Sequence, residues 1–179
     1  METASVIIVS GPPGAGKSTV ARRLAEDLSP SVHLHTDDFY TCIRRGFVPP
    51  HLPESRRQNE VVIGVMTACA YGYAAGGYHV ALDGIVGPWF LPPFQQAAAE
   101  HGISTYYVVL RPERDTALAR ATARTGDALT DPGPVLHMYD ELADLGPLEP
   151  HVLDSTTQTP AETAAAILTA LPTYRLPTP

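Results

Sequence analysis

Residues 11–19 read GPPGAGKST and directly follow the apolar run VIIVS. They fit the pattern G-x-x-x-x-G-K-[ST] at every fixed position, between a β-branched run and a segment with helical apolar spacing, which is the context this pattern requires. Glycines at 11, 14 and 16 let the backbone curl so that its N–H groups point inward, and the start of the following helix adds positive potential. The stretch therefore predicts a phosphate-binding loop.

Two side chains in this loop have distinct expected roles. Lys17 is the only lysine in the chain, and its compact charge is expected to act catalytically on the β- and γ-phosphates of ATP. The hydroxyl of Ser18 is expected to bind Mg²⁺. ATP and Mg²⁺ are the expected cofactors. The predicted nucleotide-binding residues are Gly11, Pro13, Gly14, Ala15, Gly16, Lys17, Ser18 and Thr19.

An acidic residue ends a later apolar strand pattern. Asp83 follows YHVAL, which is the position of a Walker-B acid for Mg²⁺, although a helix cap or turn acid would read the same way. Motor ATPases commonly place a water-activating glutamate next, whereas this chain has Gly84. The guanine-binding motif Asn-Lys-x-Asp of GTPases needs a lysine beyond Lys17, and 179 residues leave no room for the extra helical domain of a ring ATPase. These features favour a small kinase.

The elements that position these residues alternate along the chain. Together with the phosphate-binding loop, this alternation predicts a three-layer α/β/α P-loop fold with a central parallel sheet of about five strands. We expect one domain over 1–179 and a frayed tail after residue 171. Strands are predicted at 6–9, 32–36, 78–82, 105–110 and 151–154, and helices at 18–28, 59–75, 89–101, 112–124, 134–145 and 160–171.

Composition excludes several classes of protein. The net charge of −7 argues against nucleic-acid binding. Cys42 and Cys69 lack metal-ligand spacing, which favours two reduced thiols. The uncharged run 61–82 is split by Gly76 and Gly77, so it predicts a buried helix, a turn and a strand rather than a membrane span. Since the N-terminus lacks the features of a signal peptide, we expect a cytoplasmic protein. We also expect a monomer or homodimer with no nucleic-acid or membrane partner.

Four motifs in order resemble one family over nearly the whole chain. They are GPPGAGKST, HTDDFY at 35–40, VALDG at 80–84 and LRPERDTALARATAR at 110–124. Together they resemble the small P-loop kinases of the AAA_33, chloramphenicol-phosphotransferase-like and zeta-toxin-like group. The resemblance implies a P-loop NTPase fold like that of nucleoside and shikimate kinases. It also implies an ATP-dependent phosphotransferase that acts on a hydroxyl group of a small molecule.

The resemblance also implies roles for residues outside the loop. Asp37 matches the aspartate that faces the acceptor hydroxyl and takes or orients its proton, while Asp38 either supports Mg²⁺ or caps the next turn. A lid at about 111–130 carries Arg120 and Arg124, four residues apart on one helical face, and both are expected to act catalytically by closing over the γ-phosphate. A solvated charged face is the alternative interpretation of these arginines, as turn acids are for the two aspartates.

The acceptor is expected at a flap of about 40–58, where two interpretations remain open. In one, paired arginines grip an anionic acceptor; in the other, aromatic side chains line a pocket for a bulky neutral molecule. The acceptor class stays open among antibiotics, nucleosides, sugars and similar metabolites. A zeta-toxin-like nucleotide-sugar kinase and a regulatory ATPase without an acceptor are the alternative functions. The arginines are Arg44, Arg45, Arg56 and Arg57, and the aromatic residues are Phe39, Tyr40, Phe47, Trp89 and Phe90.

Overall fold

The structure is a computed structural model that describes residues 4–125 and 129–178. Within these ranges the chain forms five strands and seven helices, and each strand is followed by one or two helices. The strands are β1 (Ser5–Ser10), β2 (Ser31–His35), β3 (His79–Asp83), β4 (Ser104–Leu110) and β5 (Val152–Leu153). The helices are α1 (Lys17–Asp27), α2 (Thr36–Thr41), α3 (Arg56–Ala75), α4 (Leu91–His101), α5 (Arg114–Thr122), α6 (Pro132–Asp140) and α7 (Pro160–Thr169).

The strands form one parallel sheet in the order β2-β3-β1-β4-β5. Central β1 is completely buried, and its side chains alternate between two apolar cores. Val6 and Ile8 pack in the core that contains residues of α3 and α4, whereas Ile7 and Val9 pack in the core that contains residues of α1 and α7. The predicted three-layer fold with a five-stranded parallel sheet is therefore confirmed.

The register brings three strand ends to one edge of the sheet. Asp83, the last residue of β3, pairs with His35 at the end of β2 and with Val9 near the end of β1. In open parallel sheets, ligands bind at the carboxyl ends of the strands. The residues at and just after these strand ends are therefore placed to contact a ligand.

The segment between β2 and α3 contains a short helix that was not among the predicted elements. The short helix α2 begins directly at the strand end, and α3 begins at Arg56, three residues before the predicted start. Two amide side chains of α3 hold the intervening chain. Gln58 accepts from the backbone N–H of Val48 at 2.9 Å and donates to its carbonyl at 2.7 Å. Asn59 donates to the carbonyl of Pro50 at 2.8 Å, so the segment is tied to the first turns of α3.

Two further boundaries near the C-terminus are corrected. The helix predicted at 134–145 begins at Pro132 and ends at Asp140. Its start is fixed by the side chain of Asp131, which accepts from the N–H of Gly133 at 3.0 Å. The tail is not frayed over the described residues. Leu176 is 4% exposed and its N–H donates to the carbonyl of Thr105 at 2.9 Å, which anchors the tail beside β4.

The uncharged run 61–82 divides as predicted between α3 and the buried strand β3. Over the described ranges 4–125 and 129–178, no helix combines the length and apolarity needed to cross a bilayer.

Candidate active site

The phosphate-binding loop connects β1 to α1 and is held in shape by close backbone packing. Gly11 has φ +143°, and a Cβ there would lie 2.3 Å from the carbonyl oxygen of Leu110. Gly14 has φ +80°, and a Cβ there would lie 2.1 Å from the carbonyl oxygen of Ala117 in α5. No other residue type fits these two positions, so the loop is fixed against β4 and α5.

The start of α1 offers positive potential beside this loop. Its N-cap residue is Gly16, and no side chain caps the helix. The amine of Lys17 folds back and donates to the carbonyl of Pro12 at 2.9 Å. Uncapped N–H groups at a helix start and an ammonium beside them form a site suited to phosphate.

Burial lowers the pKa of Lys17 to about 8. The carboxylates of Asp83 and Asp37 oppose this shift, and the positive charge of Arg124 adds to it. The electrostatic influence of these three side chains on one amine places them all close to the phosphate loop. The structure thus brings together residues from four separate motifs of the sequence.

Asp83 is bonded directly to the loop. It is 0% exposed, and its Oδ2 accepts from the hydroxyl of Ser18 at 2.6 Å. Burial alone would raise the pKa of Asp83, but hydrogen bonds from His33, His35 and Ser18 hold it well below its ordinary value. Asp83 is therefore a carboxylate, and together with the Ser18 hydroxyl it presents the oxygen donors that suit Mg²⁺.

Two histidines that were not among the predicted site residues, His33 and His35, contact this carboxylate. His33 Nε2 lies 2.5 Å from Oδ1 of Asp83, and His35 Nδ1 lies 3.0 Å from Oδ2 of the same carboxylate. The sequence signal for this pair is the alternation in VHLHT, because residues two apart on a strand point to the same face. Both imidazoles contact the carboxylate of Asp83 from that face and hold it in place.

Asp37 is connected to this group through His35. It lies in the first turn of α2, its side chain is 72% exposed, and its Oδ2 is 3.3 Å from His35 Nε2. The hydrogen bond from His35 holds the pKa of Asp37 below its ordinary value, against the effect of burial. Asp37 is therefore a carboxylate that faces solvent beside the phosphate loop.

Asp38 lies next in α2 and is also exposed. Its backbone carbonyl accepts from the hydroxyl of Thr41 at 2.8 Å. Among the described residues, no hydrogen bond links the Asp38 carboxylate to Ser18 or Asp83. Its predicted role at the metal stays a prediction, whereas the neighbouring Asp37 has direct contacts in the site.

Gly84 is closed to any side chain. A Cβ at this position would lie 1.7 Å from Oγ1 of Thr36, whose hydroxyl donates to the carbonyl of Asp83 at 2.5 Å. The first residue of α2 thus occupies the space where a motor ATPase holds its water-activating glutamate. The glycine that the sequence shows after Asp83 is a steric requirement of this fold.

Helix α5 packs against the loop through small residues and ends at Thr122, so Arg120 lies within the helix and Arg124 lies beyond its end. Ala117 and Ala121 are buried against Gly14.

Arg120 donates to the carbonyl of Thr156 at 2.9 Å and to that of Ser155 at 3.5 Å, in the loop after β5. The prediction that Arg120 and Arg124 share one helical face is wrong, because the helix ends between them. The positive charge of Arg124 adds to the lowering of the pKa of Lys17. The predicted lid range 111–130 includes 126–128, which lie outside the described residues.

The other two arginines near the lid are paired away from the loop. Arg111 makes two hydrogen bonds to Glu149, at 2.9 and 2.8 Å, and Arg114 lies 3.3 Å from Asp140. Both ion pairs join β4 and α5 to the segment around α6. They fix the start of the predicted lid range, 111–130, to the segment around α6.

A cavity of about 340 Å³ lies on the outer side of α1, and a second of about 260 Å³ adjoins the phosphate loop. The second cavity lies between α1, α5 and the loop after β5, on the side of the phosphate loop away from Asp37. Its lining includes Ala15, Gly16, Thr19, Arg120, Ser155 and Gln158. The predicted loop residues Ala15, Gly16 and Thr19 thus border a space of suitable size for a nucleoside base.

The flap side carries exposed aromatic and basic side chains. Trp89 is 51% exposed, and its ring lies over Gly87, where a Cβ would be 2.3 Å from the indole. Phe47 is 49% exposed. Arg44, Arg45 and Arg57 are exposed, and Arg56 is held by Glu60 at 3.1 Å. Both interpretations of the acceptor pocket therefore stay open.

Comparison with known proteins supports this architecture. The chain is similar to the tunicamycin resistance protein of Deinococcus radiodurans (18% identity, 97% of this chain and 99% of that one, TM-score 0.70). It is also similar to a sugar kinase from Janibacter sp. HTCC2649 (22%, 94% and 95%, TM-score 0.66) and to a gluconokinase from Sinorhizobium meliloti 1021 (19%, 96% and 94%, TM-score 0.64). No curated protein matches the sequence.

These solved structures share the fold of this chain, as their TM-scores of 0.70, 0.66 and 0.64 indicate. A family model described as AAA domain, AAA_33, matches residues 6–134, which include the phosphate loop, Asp37, Asp83, Arg120 and Arg124. The chain is a member of this AAA-domain family of P-loop proteins.

Proposed function

We propose that this protein is an ATP- and Mg²⁺-dependent kinase that phosphorylates a hydroxyl group of a small molecule. The observation that carries the proposal is a continuous chain of contacts from the phosphate loop to an exposed carboxylate. Ser18 contacts Asp83 at 2.6 Å, His35 contacts Asp83 at 3.0 Å, and His35 contacts Asp37 at 3.3 Å. A carboxylate held beside the phosphates but open to solvent is suited to an incoming alcohol.

In the proposed transfer, one bond to the γ-phosphorus forms as another breaks. The acceptor oxygen forms a bond to the γ-phosphorus while the bond from that phosphorus to the β–γ bridging oxygen breaks, and ADP leaves. The proton of the acceptor hydroxyl passes to the carboxylate of Asp37. Lys17 and the N–H groups of the loop hold the phosphates in place during this transfer.

Arg120 and Arg124 take different parts in this proposal. Arg124 is assigned to the γ-phosphate, because its positive charge is among the causes that lower the pKa of the loop residue Lys17. Arg120 is held by the carbonyls of Ser155 and Thr156 and borders the cavity assigned to the base. We therefore assign phosphate closure to Arg124 and contact with the nucleoside to Arg120.

Ser18 and Asp83 are the residues that would hold Mg²⁺, and their hydroxyl and carboxylate oxygens fit its preference for hard donors. Bound Mg²⁺ supplies positive charge that offsets the charge of the phosphates. His33 and His35 keep the Asp83 carboxylate oriented toward Ser18.

The closed space at Gly84 favours transfer to an alcohol over hydrolysis, because a water-activating side chain has no room there. The similar solved structures also support transfer to an alcohol, since a sugar kinase and a gluconokinase are among them. The regulatory ATPase without an acceptor remains the alternative from a different class.

The test is a screen of purified protein with ATP and magnesium chloride against hydroxylated antibiotics, nucleosides, sugars and nucleotide sugars. We expect ADP release that depends on one acceptor class, a product heavier by one phosphoryl group, and loss of both with Lys17→Ala. Equal ADP release with every acceptor and with none would contradict the kinase proposal and favour the regulatory ATPase.

A further inference from the structure

The cavity between α1, α5 and the loop after β5 contains two buried polar atoms without partners. Among the described residues, these are the only buried side-chain oxygens or nitrogens that lack a hydrogen bond: Oγ of Ser155 and Oε1 of Gln158. Ser155 is 3% exposed. Leaving a buried polar atom unpaired is unfavourable, so native proteins keep such atoms where a ligand or water completes them.

Both atoms border the same space. Ser155 and Gln158 line the 260 Å³ cavity together with Ala15, Gly16 and Thr19 of the phosphate loop and α1. A group that binds there lies next to the site assigned to the phosphates. The size of the space suits one purine ring system.

The loop that carries the two residues is held at both ends. Asp154 accepts from the N–H of Thr156 at 2.9 Å, and the hydroxyl of Thr156 accepts from the N–H of Glu113 at 2.8 Å. Beyond it, Thr159 and Glu162 form a reciprocal capping box at the start of α7. Ser155 and Gln158 therefore lie in a fixed segment and do not need to be ordered by the ligand.

One wall of the cavity is a guanidinium group that is also held. Arg120 donates to the carbonyls of Thr156 and Ser155, which fixes its plane beside the cavity. Planar guanidinium groups stack on aromatic rings. The site thus combines a flat cationic surface with two polar atoms at its edge.

We propose that Gln158 is the specificity-determining residue for the nucleoside base, that its carboxamide oxygen accepts from the 6-amino group of adenine, and that Ser155 bonds a ring nitrogen beside it. This inference rests on the proposed function, because it names how that nucleotide site chooses its base. The unpartnered atom of Gln158 is a hydrogen-bond acceptor, and adenine presents an amino donor where guanine and hypoxanthine present an oxygen. An acceptor facing an oxygen leaves both buried atoms unpaired.

The test measures binding, so it needs no acceptor substrate. Isothermal titration calorimetry with magnesium chloride compares ADP, inosine diphosphate and purine riboside diphosphate, which differ only around position 6. For the wild-type protein we expect ADP to bind about 10-fold more tightly than the other two. Gln158→Met is expected to reduce this ratio to near one, mainly by weakening ADP, because methionine keeps the length of the side chain but removes the acceptor.

Two further variants separate base reading from general damage. Gln158→Glu keeps an acceptor at the same reach, so it is expected to retain the preference for ADP. Gln95→Met removes a half-buried glutamine of α4 that donates to the carbonyl of Pro177, far from the cavity in the sequence and in the sheet, and it is expected to leave all three affinities unchanged. Thermal melting of each variant checks that it folds.

The outcomes distinguish this inference from the proposed function. Equal affinities of the wild-type protein for ADP and inosine diphosphate, or an unchanged ratio in folded Gln158→Met, overturn the role of Gln158 and leave the kinase proposal standing. Failure of the wild-type protein to bind any of the three nucleotides overturns both.

Discussion

His35 joins Asp37 to the buried centre of the site, with its Nε2 3.3 Å from Oδ2 of that exposed carboxylate. Its other ring nitrogen, Nδ1, lies 3.0 Å from Asp83. One imidazole therefore spans the carboxylate assigned to the acceptor and the carboxylate assigned to the metal. The position of Asp37 depends on a residue that is neither a loop residue nor part of the predicted site.

This relationship predicts different results for two substitutions of His35. Asparagine reaches the place of Nδ1 and keeps the contact with Asp83, whereas glutamine reaches the place of Nε2 and keeps the contact with Asp37. With the acceptor found by the screen, we expect His35→Asn to lower kcat by about 10- to 100-fold at unchanged KM for ATP, because Asp37 loses its orientation. We expect His35→Gln to retain more of kcat, and equal loss in both variants would contradict the positioning role.

Asp37→Asn tests the assignment of the acceptor carboxylate. The amide cannot take the proton of the hydroxyl, so we expect phosphorylation to fall by about 100-fold or more while calorimetry shows unchanged ADP affinity. Asp38→Asn is the matched control at the adjacent exposed position. Near-normal phosphorylation by the Asp37 variant, or a larger loss in the Asp38 variant, would transfer the role to another residue.

The separation of Arg120 within α5 from Arg124 beyond its end predicts a split between rate and affinity. Arg124→Gln is expected to lower kcat with little change in ADP affinity, since ADP lacks the γ-phosphate. Arg120→Gln is expected to weaken ADP binding, because the wall of the base cavity is lost. The same pattern of losses in both variants would show that they do not have separate roles.

Close packing at Gly84 predicts a stability difference between two glycine substitutions. Gly84→Ala forces a methyl group into the space of Thr36, so we expect the free energy of unfolding to fall by about 1–3 kcal/mol. Gly64 lies within α3, where a methyl group would meet nothing within 4 Å, so Gly64→Ala is expected to raise stability by about 0.5–1 kcal/mol. Urea denaturation measures both, and equal effects would show that the fit around Thr36 is loose.

The ion pair between Arg111 and Glu149 predicts a pH dependence of stability. The hydrogen bonds from Arg111 and from the N–H of Leu145 lower the pKa of Glu149 to about 2 from an ordinary value of 4.5. A lowered carboxyl pKa means that the folded state binds fewer protons than the unfolded state. The ion pair therefore contributes fully to folding stability above pH 4.5, and this contribution is lost as the pH falls toward 2. Glu149→Gln is expected to flatten that part of the stability profile, measured by urea denaturation at several pH values.

The parts of the fold with strong local signals could be predicted from the sequence. The strand–loop–helix at GPPGAGKST and the alternating elements needed only periodicity and fixed spacing. The helix α2 was missed because six residues, TDDFYT, are too short to show an apolar period. The start of α2 is instead fixed by tertiary packing, since Thr36 packs over Gly84.

The predicted site was incomplete for a similar reason. Asp37 and Asp83 are recognisable because each follows a strand, but the role of His33 and His35 depends on β2 pairing with β3 in one register. Arg120 and Arg124 share a helical face in the sequence. In the structure α5 ends at Thr122, so Arg124 lies beyond the helix while Arg120 bonds the loop after β5.

The single lysine of this chain makes the phosphate loop addressable by amine chemistry. An amine-directed acylating reagent has only one lysine side chain to modify, at the position where the γ-phosphate is expected. The extent of modification of Lys17, read by mass spectrometry of its proteolytic peptide with and without nucleotide, then reports occupancy of the loop separately from reaction at the N-terminal amine. Any compound that protects Lys17 is a ligand of this site, whether or not its acceptor is known.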